Sequence, residues 1–345
     1  MSKNILVTGS EGYIGSVLVE ELVKNGYLVT GIDNCYFEES RDKSRLKNYR
    51  LIKEDIRKID KLDLSPYFAV IHLAALSNDI TGDIRPEKTF DINYLSTVRI
   101  AQKAKREGVK KFLFSSSCSI YGIAKNGIVD ETSRINPLTP YAKAKIAAEI
   151  ELKKLTDDRF CVGLLRNSTV YGYSPNFRND LVVNNLVTVA LATKKITIMS
   201  DGTPWRPLID VLDLSSIFIK FLEVDPDLIN GQVFNIGFNK NNLQVRYIAE
   251  KIKKELPESV IIYTHQHGND VRTYRVNFHK FHKTFPEISQ QWPLGKSVKK
   301  MIAKLKEKNF NTRDFRTEKY TRLAVLNRLL KSKALDKEFY WTSHG

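Results

Sequence analysis

In the stretch "TPYAKAKIAAE", residues 139–149, a tyrosine and a lysine stand four residues apart just after a proline. Thr139 suits a helix N-cap and Pro140 the first helical position. The alanine-rich run that follows favours helix, which puts Tyr141 and Lys145 on one face at i and i+4. An ammonium beside a phenol favours the phenolate, so such a pair can move a proton. The same spacing also suits a packed tyrosine next to a solvated lysine, and the peptide alone leaves both readings open.

A second constellation opens the chain. "NILVTGSEGYIGSVLVEELVKNGYLVTGID" reads as strand, turn, helix, strand, with Gly9, Gly12 and Gly15 at three-residue spacing. Ile14, Val17, Leu18 and Leu22 follow a helical period, and Gly26 closes that helix. One glycine permits the tight turn, one lets backbone reach a pyrophosphate, and one allows close helix–strand packing. The helix start offers N–H groups and a positive dipole end to phosphates. Asp33 follows 18 residues after Gly15, at the end of the next strand. There a carboxylate accepts hydrogen bonds from both adenosine-ribose hydroxyls and repels a 2′-phosphate, which points to NAD over NADP.

The elements that must position these groups alternate between strand and helix. A third strand ends near Asp55, and "FAVIHLAALSND" is a fourth, in which His72 reads as a packed strand residue. A helix is expected over 88–107, closed by Gly108, and "KKFLFSSSCSIYG" is a fifth strand ending in hydroxyls. The pattern predicts an α/β fold, a Rossmann-type doubly wound parallel sheet with ligands at the carboxyl ends of its strands. Residues 1–172, completed by parts of 205–237, are expected to form the dinucleotide-binding domain. Residues 173–310 are expected to form a smaller substrate lobe, and 311–345 a basic helical extension. In that extension Leu323, Leu326, Leu329 and Leu330 mark an amphipathic helix that packs on the core, a subunit or a partner.

Composition excludes several classes. With 345 residues, 42% hydrophobic and 27% charged, the chain folds around a sizeable core. No apolar run reaches membrane-spanning length, and the N-terminus lacks a secretory pattern. Cys35, Cys118 and Cys161 are odd in number and lack metal-ligand spacing. A reduced, cytoplasmic protein without a metal is therefore expected. The net charge of +16 raises the question of nucleic acid, but residues 291–345 alone carry 14 Lys and Arg against 5 Asp and Glu. A lysine-rich solvated helix accounts for that surplus without a nucleic-acid partner.

Taken in order, the motifs "TGSEGYIG", "DN", "EDI", "HLAA", "SSSCSIYG", "YAKAK", "RNSTVYG", "GTPWRPLIDVLD", "FNIG" and "NDVRTY" span residues 8–274. The sequence resembles the extended short-chain dehydrogenase/reductases, in the group that epimerises, dehydrates or reduces nucleotide sugars. The resemblance implies that Tyr141 is the acid/base on a sugar hydroxyl, that Lys145 lowers its pKa and holds the nicotinamide ribose, and that Ser117 binds the same oxygen. It implies NAD contacts from Gly9, Gly12, Tyr13, Ile14, Gly15, Asp33, Asn34, Asp55, Ile56, Leu73, Ala74, Ala75 and Ser115. It places Ser119 and Asn185 at the substrate and Arg206 and Arg272 on its diphosphate, where guanidinium forks suit phosphate oxygens. Dehydratases of the group carry Thr-Asp-Glu where this chain has Ser117, Cys118 and Ser119, so the carboxylates needed to eliminate water are missing. Cys118 reads as a small packed residue. The implied activity is epimerisation of a nucleotide-diphosphate sugar, at C4, by a homodimer. A ketosugar reductase or sugar dehydrogenase uses the same residues, and a non-catalytic dinucleotide sensor or RNA-binding relative would show them broken.

Overall fold

Alternation of apolar residues decides which face each strand presents. In β1 (Asn4–Thr8), Ile5 and Val7 bury on one side with Leu18 and Leu22 of α1 (Tyr13–Lys24), whereas Leu6 buries on the other. The computed structural model describes residues 3–40, 46–77, 83–265, 273–310 and 318–342. β2 (Leu28–Asp33), β3 (Tyr49–Lys53), β4 (Ala69–His72), β5 (Lys111–Ser117), β6 (Cys161–Asn167) and β7 (Val233–Ile236) join β1 in one seven-stranded sheet. Its order is β3-β2-β1-β4-β5-β6-β7, all parallel, the doubly wound arrangement expected from the sequence. The central strands are buried on both faces, as a parallel sheet covered by helices requires.

One core contains Val7, Ile71, Leu113 and Leu165 with the helix Val211–Glu223. The opposite core contains Leu6, Val70, Phe112 and Phe114 with Ile100, Ala104, Ala148 and Leu152. A third, around Val183, Ile196, Ile248, Val298 and Met301, lies among elements outside the seven-stranded sheet. There Trp205–Asp210 pairs with Thr169–Tyr171 and Asn242–Gln244, and Lys195–Ile198 pairs with Val260–Tyr263. The lysine-rich helix Leu294–Glu307 buries Leu294, Val298, Met301, Ile302 and Leu305 and exposes Lys296, Lys299 and Lys306.

The structure differs from the single helix expected over 88–107. It has an α-turn at Pro86–Phe90, a π-helical turn at Asp91–Leu95, and only then a regular helix, Ser96–Arg106. Asn93 accounts for the widened turn. Its Oδ1 accepts from the Leu76 N–H at 2.8 Å and its Nδ2 donates to the Leu76 carbonyl at 3.1 Å, so the side chain is drawn toward the end of β4.

The C-terminal extension packs on its own chain. Helix Arg322–Lys331 buries Val325 and Leu326, and Leu326, Leu335 and Phe339 join the core that holds Leu6 and Ile56. No described helix is long and apolar enough to cross a membrane.

Candidate active site

β1 passes into α1 through a turn that has no room for side chains. Gly9 has φ 71°, and a Cβ on it would lie 2.7 Å from the Ala74 nitrogen. A Cβ on Gly15 would lie 2.1 Å from the Gly9 carbonyl oxygen. Gly12 caps α1 without a side-chain hydrogen bond, and the first turn carries no acidic residue. The positive end of the helix therefore borders a cavity that Gly9, Gly12, Tyr13, Ile14 and Gly15 all line. Asp33 stands at the same wall. Its Oδ2 accepts from the Glu11 N–H at 3.0 Å and its Oδ1 from the Cys35 N–H at 2.8 Å. Burial pushes this carboxyl up to about 6, against the Cys35 N–H and Arg322, so at neutral pH it remains a carboxylate acceptor.

The cavity, of about 620 Å³, runs from Asp33, Asn34 and Ile56 past Leu73, Ala74 and Ala75 to Ser115, Ser117, Ser119 and Tyr141. Asn185, on the helix Val182–Thr193, and Arg206, on the strand Trp205–Asp210, line it as well. Thr139 caps the helix Pro140–Lys154 by accepting from the Ala142 N–H, which fixes Tyr141 one residue into the first turn. Lys145 lies behind the wall: its Nζ donates to the Ser115 carbonyl at 2.7 Å, 4.6 Å above the Phe114 ring and 5.7 Å from the Tyr141 ring centre. Burial pushes this ammonium down to about 7, opposed by Glu149. The lysine can thus change charge when its surroundings do. Ser117 Oγ accepts from the Ser119 N–H at 3.1 Å and donates to Ser119 Oγ at 3.0 Å, so two hydroxyls stand as one unit. Cys118 is buried with its Sγ on the Arg166 carbonyl, and burial pushes the thiol up, away from the reactive thiolate.

A buried ion pair fixes the helix that bears Tyr141. Glu149, four residues beyond Lys145, receives Arg166 at 2.7 Å and also accepts from Ser116 Oγ. Arg166 Nη1 donates in turn to Tyr121 Oη at 3.0 Å, and that hydroxyl donates to Asn235 Oδ1 at 2.8 Å. Removing one partner of such a pair typically costs about 3–5 kcal/mol, because the other charge is left buried. β5, β6, β7 and the helix are thereby locked in one register around Tyr141.

Not every expected residue reaches the cavity. Asp55 does not line it; both carboxylate oxygens are taken by Arg57, at 3.0 and 2.8 Å. Arg272 lies outside the described residues. Arg206 places Nη1 on its neighbour's carbonyl, at Trp205, 2.9 Å away, while lining the cavity. Asn185 donates to the Asn179 carbonyl at 3.1 Å. Sequence reasoning missed Arg178, which forms a bidentate pair with Asp180 and donates to Ser77, and Tyr274, Asn167 and Arg322, all lining the cavity. The "RND" of 178–180 was a legible signal for the first; the others are brought in by tertiary folding.

The residues present fit a dinucleotide. A glycine cradle that any Cβ would fill lies against an uncapped helix start, and the partly buried Asp33 carboxylate stands one strand away. Near the serines, Asn167 donates to Ser115 Oγ at 2.9 Å while its buried Oδ1 has no hydrogen-bond partner among the described residues. No cluster of three or more His, Cys, Asp or Glu side chains suited to a metal occurs among the described residues.

Residues 5–237 match the model of the NAD dependent epimerase/dehydratase family. The UDP-glucose 4-epimerase of Mycolicibacterium smegmatis is 30% identical over 247 residues, 67% of this chain and 76% of its own. Human dTDP-D-glucose 4,6-dehydratase is 26% identical over 334 residues, 90% of this chain and 91% of its own. Among solved structures, UDP-glucuronic acid 4-epimerase from Bacillus cereus, in complex with UDP-glucuronic acid and NAD, matches with a TM-score of 0.75 at 27% identity. That match covers 88% of this chain and 99% of the other.

Proposed function

We propose, on the premise that this chain belongs to the NAD-dependent epimerase/dehydratase family, that it inverts C4 of a nucleotide-diphosphate sugar through a transient 4-keto sugar. NAD, when bound, supplies reversible hydride acceptance from the carbinol carbon. Gly9, Gly12 and Gly15 with the start of α1 hold its diphosphate, and Asp33 its adenosine ribose. Tyr141 takes the proton of the sugar hydroxyl as the carbon is oxidised and gives it back on reduction. Lys145, held on the Ser115 carbonyl, is placed to favour the phenolate when charged. Ser117 and Ser119 hydrogen-bond the reacting oxygen, and Arg206 binds the diphosphate about which the keto sugar rotates.

The observation that carries this reading is the shared cavity: Ser117 and Tyr141 border the same space as the glycine cradle and Asp33, with Lys145 directly behind. Cys118 and Ser119 stand where the resemblance puts the dehydratase carboxylates, which favours epimerisation over water elimination. The test is conversion of one nucleotide sugar into its C4 epimer by purified protein without added NAD or NADH. In heavy water the product should gain no carbon-bound deuterium, because the hydrogen returned to carbon does not exchange with solvent. One-for-one consumption of added reduced cofactor with a keto sugar would overturn the epimerase reading in favour of a reductase.

A further inference from the structure

The C-terminal extension meets the core at residues that follow β2 and β3, the strands whose ends form the adenosine side of the cavity. Trp341 Nε1 donates to the Asn34 carbonyl at 2.6 Å, directly after Asp33. Tyr36 Oη donates to the Phe339 carbonyl. Arg57, which holds Asp55, donates to the Glu338 carbonyl at 2.6 Å and lies 3.7 Å from the centre of the Tyr340 ring. Glu338 pairs with Lys88, and Arg328 with Glu39 at 2.8 Å. These contacts gather on one side of the cavity.

Arg322, the first residue of the extension's helix, enters that cavity itself. It is 2% exposed, with its guanidinium 4.4 Å from the centre of the Phe37 ring. Its Nη2 donates to Asn176 Oδ1 at 2.6 Å and to the Asn176 carbonyl at 3.1 Å. Asn176 Nδ2 donates in turn to the Glu11 carbonyl, inside the glycine turn. A cation anchored by the C-terminus is thus linked through one side chain to the backbone that cradles phosphate. Burial and the nearby Arg178 pull this guanidinium down to about 9, while Asp180 and Asp33 act in the opposite sense.

We propose that residues 318–342 form the outer wall of the dinucleotide site and that Arg322 is a cofactor-binding residue, placing its guanidinium on the diphosphate of NAD. The inference rests on the dinucleotide reading of the cavity given above. A cofactor held by Arg322 beside this wall is released more slowly than one without it, so NAD stays through successive turnovers. That behaviour suits a reaction that regenerates its oxidant on the same site.

The experiment loads purified full-length protein with isotopically labelled NAD and follows its exchange with a large excess of unlabelled NAD, alongside calorimetric titration. Arg322→Gln should exchange at least tenfold faster, and Arg322→Lys should fall between it and the parent. Trp341→Ala, which loosens the wall from a half-exposed position outside the core, should also speed exchange while leaving circular dichroism unchanged. Exchange rates unmoved in both Arg322→Gln and Trp341→Ala, with NAD bound in the parent, would overturn this inference alone and make the extension a structural brace. A parent protein that neither retains nor titrates NAD would overturn the dinucleotide reading and the inference with it.

Discussion

Replacing His72 should remove a defined share of the protein's acid sensitivity. The imidazole is fully buried between Thr8, whose Oγ1 lies 2.7 Å from Nδ1, and Thr97, whose Oγ1 lies 2.8 Å from Nε2. Thr97 gives its one hydroxyl proton to the Asn93 carbonyl at 2.9 Å, so Nε2 must carry the ring hydrogen and Nδ1 must accept from Thr8. A second ring proton would face a hydroxyl that also receives the Ala74 N–H at 3.3 Å and would have to redirect its own hydrogen. Burial, with Lys145 nearby, accordingly pushes His72 down to about 3 from 6.5. Between these values the unfolded chain binds the extra proton and the folded chain does not. The stability contributed by neutral His72 is therefore complete above pH 6.5 and lost as pH falls through that window. From pH 7.5 to pH 5.0 the loss is about 2 kcal/mol, at 1.36 kcal/mol per unit of pKa difference. Asp33 and Asp210, both raised to about 6, act in the opposite sense, so the parent must be compared with a variant. In urea unfolding of parent and His72→Gln at pH 7.5, 6.0 and 5.0, the stability of the parent minus that of the variant should fall by about 2 kcal/mol toward acid, whatever the variant's baseline. Parallel curves would refute the neutral, doubly hydrogen-bonded histidine.

Two substitutions separate chemistry from cofactor binding. Tyr141→Phe should lower turnover roughly 10²–10⁴-fold, the usual worth of a positioned acid/base, while calorimetric NAD affinity stays within about twofold. Gly15→Ala should do the reverse: its Cβ would lie 2.1 Å from the Gly9 carbonyl oxygen, so the turn must shift. Strain of that kind costs about 1–3 kcal/mol, and titration with NAD should show affinity reduced by at least tenfold.

The start of the chain was legible because its determinants are local. The helical period of Ile14, Val17, Leu18 and Leu22 and the glycines before it are satisfied within forty residues, and α1 and β2 lie where that pattern puts them. The cap and spacing of Tyr141 and Lys145 are local too, which is why the helix that bears them was legible. The π-helical turn was not, because it depends on Asn93 bonding Leu76, 17 residues away. Asp55 carried a motif position, yet Arg57 two residues later claims its carboxylate, and that pairing is completed by Glu338 and Phe339 at the far end of the chain. Leu323, Leu326, Leu329 and Leu330 marked the amphipathic helix, but nothing in that pattern singled out Arg322. Its burial follows from Phe37 and Asn176, which no periodicity in residues 311–345 can reveal.

β7, Val233–Ile236, comes more than sixty residues after β6 in sequence, yet it pairs with β6 as the last strand of the seven-stranded sheet. A growing chain that has emerged only through β6 therefore presents that strand, buried along its whole length in the finished protein, as a bare hydrogen-bonding edge. Its apolar rows, Val162 and Leu164 on one side and Cys161 and Leu165 on the other, are then open templates for another chain. The helix Val211–Glu223 and β7 must both arrive before that edge and one of its faces are covered. Synthesis in the living cell thus carries an interval of aggregation risk spanning the translation of the intervening segment. A fragment cut after the tyrosine–lysine helix and β6 inherits the same hazard permanently, so the seven-stranded sheet is not a module that can be transplanted by taking the N-terminal residues alone.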